Sequence, residues 1–445
     1  MTAERRFTID ELFVSTTDRK GHIRLSNRVF ERVSGYERDE LIGRAHNVIR
    51  HPDMPRSVFD LFWQVLEAGD PVAAYVKNRA KDGAHYWVMA VAIPVPDGYL
   101  SVRMKPTTPL FDAAVEIYAD VRAVELEVEG DDVRGRKASI AAGAARLAER
   151  LEQAGFDSYP AFMRAALTAE VAARDAALAG HERGLDLGAA DAGLRAVGEA
   201  ALGTVDLLRE LGERLAGHGE LSEALKHKSG FVEELSEAIR LFSLNAILAA
   251  DRLRDGRALG AVAGLLRTRS DAAAPEIIRL GTELEQAVAL LSETSFRAAA
   301  GKLQTEMMTA VVEDLLDAST ARTEAASHLQ LLADAVSEAF EAICASIAAV
   351  DTVLDRLAGV SKSVERHLSV IRALEVNGRI EAARAADTEQ VRVLFEEIAK
   401  QVETADTQLH DFTALATRED RDDGGVRREG RRRIAAVQTA VGAMA

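Results

Sequence analysis

The sequence predicts an α+β domain followed by an all-α antiparallel helical bundle or coiled coil, and three observations carry that reading. Short alternating apolar segments with Gly and Asp turns are confined to residues 7–106. Both tryptophans, Trp63 and Trp87, and most tyrosines precede residue 120, whereas Ala, Leu, Glu and Arg dominate after it. Between residues 136 and 418 only Pro160 and Pro275 interrupt a helix-compatible chain. A chain of 445 residues exceeds what one core ordinarily fills, so more than one domain is expected.

Within 7–106 the first predicted strand is HIRLSN (22–27). Three short helical stretches follow, RVFERVSG (28–35), ERDELIG (37–43) and PRSVFDLFWQVLEAG (55–69). The last carries Val58, Phe62, Val65 and Leu66 at helical spacing, with Pro55 suited to its first turn. Strands AAYVKNRA (73–80), HYWVMAVAIPV (85–95) and YLSVRMK (99–105) then form a meander turned at Asp82-Gly83 and Asp97-Gly98. A connector helix, LFDAAVEIYADVRAVELEVE, lies within a connector and linker at 107–135. A helical region spans 136–215 and a second, bundle-forming one 216–418, with breaks expected at Gly155, Gly180, Gly217, Gly219, Gly230 and Gly256. Residues 419–445 read as a polar linker and a short final helix.

Charge and composition narrow the function. A formal net charge of -16 argues against a nucleic-acid partner, because phosphate neutralisation requires a basic face. Arg427, Arg428, Arg431, Arg432 and Arg433 are the local exception, read as a solvated tail. Cys344 is the single cysteine, so no intrachain disulfide forms and a reducing compartment fits. No apolar run is long enough to span a bilayer, and the start lacks a signal-peptide core, so a cytoplasmic protein is expected. No metal cluster, phosphate-binding glycine loop or nucleophile–base arrangement stands out, so no enzyme is expected.

The run HNVIRHPDMP (46–55), preceded by SGYERDELIG and followed by Phe59, Trp63, YVKN (75–78) and HYWV (85–88), closely resembles the PAS domain of aerotaxis receptors. The resemblance covers residues 7–106 and implies a bacterial redox or energy sensor that binds FAD without a covalent bond. It places Arg50, His51 and Asp53 on the flavin-binding motif, with Asn27, Phe59, Trp63 and Asn78 around the pocket. The residue chemistry is compatible: a flat ring needs apolar walls and a few orienting polar groups. Asn78 offers both a donor and an acceptor, and Arg50 a charge. The residues alone equally allow Phe59 and Trp63 as core, and Arg50 with Asp53 as an ion pair closing a loop. Haem is the less favoured cofactor, with His22, His46 and His51 as ligand candidates, and a ligand-free domain is a further alternative.

Two segments, 239–267 and 370–398, form a weak internal repeat aligned on Asn245 and Asn377. Both resemble the hairpin tip of methyl-accepting chemotaxis proteins. Leu244, Asn245 and Arg252 match the first tip, and Asn377, Glu381 and Arg384 the second. The resemblance implies a chemotaxis histidine kinase and its coupling adaptor as partners, or other receptors and self-association. Both copies depart from the family pattern: Ala249 replaces the tip glutamate, Val376 and Gly378 alter the second tip, and each turn is one residue short. There are no paired-glutamate methylation sites and no aromatic C-terminal tether, so adaptation by methylation is not expected. Two hairpins in one chain suggest a single-chain four-helix bundle with a return turn near Gly281, Gly301 or DASTART (317–323). The combined reading is a soluble aerotaxis-like sensor. Its rival is a non-chemotactic PAS scaffold whose bundle has no kinase coupling.

Overall fold

The computed structural model describes residues 3–129, 133–179, 185, 187–213, 221, 224–225, 237, 241, 257–317, 322–384, 389–416 and 423–444. Five strands, β1 (Phe13–Asp18), β2 (Ile23–Ser26), β3 (Val72–Arg79), β4 (His85–Val95) and β5 (Gly98–Met104), form one antiparallel sheet ordered β2-β1-β5-β4-β3. Four of them coincide with predicted strands. The fifth, β1, was not predicted, yet it lies between β2 and β5 with Ser15, Thr16 and Thr17 buried.

Cross-strand register sorts the side chains onto two faces. Asn78 pairs with Tyr86, Ala90 with Arg103, Arg103 with Phe13, and Ser101 with Ser15, so these residues share the inner face. Helices α1 (Arg28–Ser34), α2 (Arg38–Leu41) and α3 (Arg56–Glu67) and a 3-10 turn (His46–Ile49) stand on that side. Contacts of Phe13 with Phe30 and of Trp63 with Tyr99, at 6.5 and 5.4 Å between centroids, fix them there. Helix α4 (Pro109–Val128), the predicted connector, covers the outer face instead. Its Phe111 lies 5.5 Å from both Tyr75 and Trp87, and Tyr118 also packs on Trp87.

Helix α5 (Val133–Gln153) stops before Gly155, which holds the left-handed φ of 82° that a β-carbon disfavours. Helix α6 (Tyr159–Leu178) starts at a Ser158 cap with Pro160 in its first turn, and α7 follows at 192–213. Further along lie α8 (Arg257–Asp317), α9 (Arg322–Arg384), α10 (Glu389–Ala416) and α11 (Asp423–Gly442). Gly281 and Gly301 therefore lie inside α8; of DASTART, Asp317 ends α8 and Arg322 starts α9, while 318–321 lie outside the described residues, as do Gly180, Gly217, Gly219, Gly230 and Gly256.

The chain divides into two compact units. The first comprises Met1–Arg214, Glu293–Cys344 and Gly424–Ala445, so the sheet shares one core with α4 to α6, parts of α8 and α9, and α11. Helix α11 is anchored by Ile434, Val437 and Val441, while Arg431 grips Glu341 through two 2.8 Å bonds and Arg432 and Arg433 share Glu429. The expected tail is thus a helix packed along its apolar side, with Arg428, Arg431 and Arg432 exposed.

The second unit comprises Leu215–Ser292 and Ala345–Asp423. Its core draws Leu259 and Ile277 from α8, Leu368 and Ile371 from α9, and Phe395 and Ile398 from α10. Gly378 has a packing reason, because a β-carbon there would run into the Phe395 ring.

Candidate ligand site

The motif loop is fastened to the edge strand β3 by backbone. Arg50 forms an isolated antiparallel bridge with Asn78, and the His51 N–H donates to the Lys77 carbonyl at 3.3 Å. Side chains complete the clasp. Lys77 Nζ binds Asp53 at 2.6 Å and holds its carboxyl below the usual range. His51 Nδ1 accepts from the Asp53 N–H at 3.2 Å, and burial followed by the Lys77 charge lowers the imidazole pKa. The ion pair that closes the loop is therefore Asp53 with Lys77, rather than with Arg50.

Arg50 is left available within the domain. Its Nη2 donates only to the carbonyls of Met54 and Pro55, at 3.2 and 3.4 Å, and its guanidinium lies 4.2 Å from the Phe59 centroid. Burial and the neighbouring Arg56 lower its pKa, against the opposing charge of Glu125. Asn78 is buried, and among the described residues its Nδ2 has no hydrogen-bond partner, an expensive state for an amide donor.

The other predicted residues are placed differently. Asn27 caps α1: its Oδ1 accepts from the Phe30 and Val14 N–H groups at 3.1 and 2.9 Å, and its Nδ2 donates to the Leu12 carbonyl at 2.8 Å. Trp63 is half-buried in a small cluster with Leu66, Val72, Ala92 and Tyr99. Among the haem candidates, His22 Nδ1 is bound by Asp18 at 2.9 Å and His46 Nε2 by Arg103 at 2.6 Å. The structure thus gathers Arg50, Phe59 and Asn78, and spends Asn27, His51 and Asp53 on local architecture.

Sequence reasoning missed Arg103, Tyr86 and Ser15, and weighed His46 only as a haem ligand. Arg103 is buried on the inner face; its Nη2 donates to Ser15 Oγ at 3.0 Å and to His46 Nε2, and its guanidinium lies 5.3 Å from the Phe30 centroid. Burial lowers its pKa to about 10. Arg103 Nη1 and the Tyr86 hydroxyl are both buried and, among the described residues, unpartnered. The available signal was a charged residue at an inward position of a period-2 strand, two residues on from Ser101 and so on the same face.

His46 should make the domain acid-sensitive. Burial and the adjacent Arg103 lower its pKa well below the ordinary value, so below about pH 6.5 the unfolded chain takes up a proton that the folded chain refuses. Stability therefore falls as pH drops, by up to ~1.4 kcal/mol per pH unit from this residue. His46→Gln, which keeps an acceptor for Arg103, should flatten the dependence between pH 6.5 and 5 in urea titrations. An unchanged slope would count against a neutral His46.

At the second tip, Asn377 is exposed and Arg384 pairs with Glu381 of its own helix at 2.9 Å. Leu244, Asn245 and Arg252 lie outside the described residues.

A family model described as the PAS fold matches residues 23–102. The chain is 41% identical over 119 residues to the aerotaxis receptor of Escherichia coli (strain K12), covering 26% of this chain and 24% of that protein. It is 30% identical over 89 residues to a nitrogen fixation regulatory protein of Klebsiella pneumoniae, covering 20% of this chain and 18% of that one. The chain thus spans a quarter or less of the curated relatives it matches. Similar solved structures include the PAS domain of a Colwellia psychrerythraea protein, 22% identical with a TM-score of 0.19. It covers 22% of this chain and 86% of that one. The Aureochrome1 LOV domain in its light state is 18% identical with a TM-score of 0.22, covering 24% and 91%. The N-terminal sheet and its helices are a PAS domain, joined to a helical region. Among the described residues, no helix is long and apolar enough to cross a membrane.

Proposed function

We propose that this chain, a PAS domain joined to long helices, is a redox or energy sensor whose PAS domain holds FAD and biases the packing of a chemotaxis-receptor-like bundle. The observation that carries the reading is the buried, unpartnered Asn78 Nδ2, on the strand to which the Arg50 loop is clasped. A donor held dry without a partner suits a ring carbonyl, and Arg50 over Phe59 sets a cation beside it. Flavin, when bound, supplies reversible electron uptake. The chain's own residues orient the ring, exclude water and keep a positive charge nearby.

A change at the site has a physical route outward. Helix α3 begins directly after the loop, and buried Glu125 of α4 accepts from its first N–H groups. Helix α4 also covers the outer sheet face. Its own start is held by Glu170 of α6, which accepts from the Thr107 and Thr108 N–H groups at 2.7 and 3.1 Å. A coupling of ~1–3 kcal/mol along this route is enough for a switch. In the second unit, both tip-like segments reach one core through Leu259 and Ile371, which supports a single-chain bundle. Its partners in this reading are a chemotaxis histidine kinase and a coupling adaptor in the cytoplasm.

The test is the absorbance spectrum of the purified full chain, oxidised and reduced, with the released cofactor identified by chromatography. FAD is expected, and Asn78→Leu should weaken its retention on the order of tenfold. A haem band, or a protein that stays colourless after incubation with FAD, would sink the flavin reading. Pull-down of a histidine kinase separates the chemotactic output from the scaffold alternative.

A further inference from the structure

We propose that Arg103, with Tyr86 and Asn78, forms a preset donor edge on the inner sheet face that selects the ligand by the acceptor-rich edge of its heterocycle. The inference rests on the flavin reading and adds the group that discriminates among rings.

Three atoms in one wall of the domain are buried without partners: Asn78 Nδ2, Tyr86 Oη and Arg103 Nη1. Their residues are 3%, 1% and 5% exposed. Native proteins pair nearly all such groups, so three on a single face mark a place built for something else. All three atoms can donate, and the guanidinium keeps its charge in any protein environment. Among the described residues Arg103 has no ion pair; its contacts are Ser15, His46 and the Phe30 ring. Tyr86 stacks on Phe13 at 5.7 Å, and Phe13 lies opposite Arg103 in register, so the donors are joined by one aromatic floor.

Small side chains share the same face, with Ala74 opposite Ala90 and Ala92 opposite Ser101. The matching ligand is a fused heterocycle carrying carbonyl oxygens and ring nitrogens along one edge. An aliphatic chain would leave all three donors dry. The uncompensated charge also favours whichever redox form of the ring is more negative, because Coulomb attraction is strong where water is excluded. Arg103 is thus a binding and tuning residue, and the domain without ligand is less stable for having it.

The experiment compares the full-length wild type with Arg103→Met, Arg103→Lys and Tyr86→Phe. Retained FAD, the midpoint potential of the bound fraction and the melting temperature of the FAD-free protein are measured. Arg103→Met should melt no lower than wild type without FAD, yet lose FAD affinity by at least tenfold. Its residual flavin should be harder to reduce by at least tenfold in the redox equilibrium, ~30 mV for a two-electron couple. Arg103→Lys should keep most of the potential, and Tyr86→Phe should weaken FAD with no loss of melting temperature. Wild-type FAD affinity and potential in Arg103→Met would overturn the proposal alone. So would a lowered melting temperature without FAD in both Arg103→Met and Tyr86→Phe, since the groups would then be structural. A wild type that never takes up FAD would overturn the flavin reading itself, and this inference with it.

Discussion

Glu306→Ala should lower the stability of the first unit by about 3–5 kcal/mol, the cost of stripping one partner from a buried charge network. Glu306 of α8 and Arg174 of α6 form an ion pair, with both residues buried. Arg174 also donates Nε to the Ile9 carbonyl at 2.9 Å and Nη2 to the Asp10 carbonyl at 3.1 Å, which ties the start of the PAS domain to the helices. Lys302, one turn before Glu306, is equally buried; it reaches Glu306 at 3.1 Å and also pairs with Asp175. Truncating Glu306 leaves two buried cations to be held by Asp175 and carbonyls alone. Replacing Arg174, Lys302 and Glu306 together by Met, Met and Leu should recover much of the loss, since apolar packing often equals a buried ion pair. Urea unfolding followed by tryptophan fluorescence reads this directly, because Trp63 and Trp87 both belong to the first unit. A Glu306→Ala midpoint within error of wild type would show that the network contributes nothing.

That network also shows where the sequence stopped being legible. The PAS order of elements could be read because β3, β4 and β5 are apolar segments whose turns carry Asp-Gly pairs. Strand β1, FVSTTD, escaped because its buried positions are Ser and Thr, which carry no apolar period. The motif residues were located by resemblance, but their division of labour was not. Nothing local says that Asp53 answers Lys77 while Arg50 faces Phe59, since that choice depends on which strand the loop clasps. Arg103 lay in plain view within YLSVRMK, but without β1 there was no reason to see it opposite Phe13 and beside Ser15. Lys302, Gln304, Thr305 and Glu306 form a polar run inside a long helix, where the expected reading is a solvated face. Its burial is decided by helices more than a hundred residues away in sequence.

The same kind of long-range pairing makes Glu125→Ala the sharpest test of the signalling route. Glu125 is fully buried on α4 and accepts from the Arg56 N–H, the Ser57 N–H and the Ser57 hydroxyl at 2.8, 2.8 and 2.7 Å. Helix α3 begins after Pro55 with no side-chain cap of its own, so this carboxylate supplies the acceptor that the first turn lacks. It also sits at the positive end of the helix dipole. Arg122 binds Glu125 at 3.2 Å, and Glu129 pairs with Arg56. On α5, Gly143 has no β-carbon where one would collide with Glu125 and the Ser57 hydroxyl, so α5 closes over the junction. Removing the carboxylate leaves these donors dry, at ~1–3 kcal/mol for each that water cannot reach. The expected loss is about 3 kcal/mol or more in urea. Glu125→Gln should lose less, because one oxygen can still accept. The functional consequence is more specific than the stability loss. Arg50 donates to the Pro55 carbonyl immediately before α3, so under the proposed function Glu125 is expected to carry a shift of the motif loop into α4. Hydrogen exchange on FAD-loaded protein, oxidised and reduced, should show a redox-dependent difference in α4 that disappears in Glu125→Gln while FAD is retained. If the difference in α4 survives in that variant, the signal leaves the domain through the sheet alone, and Glu125 serves only to cap α3.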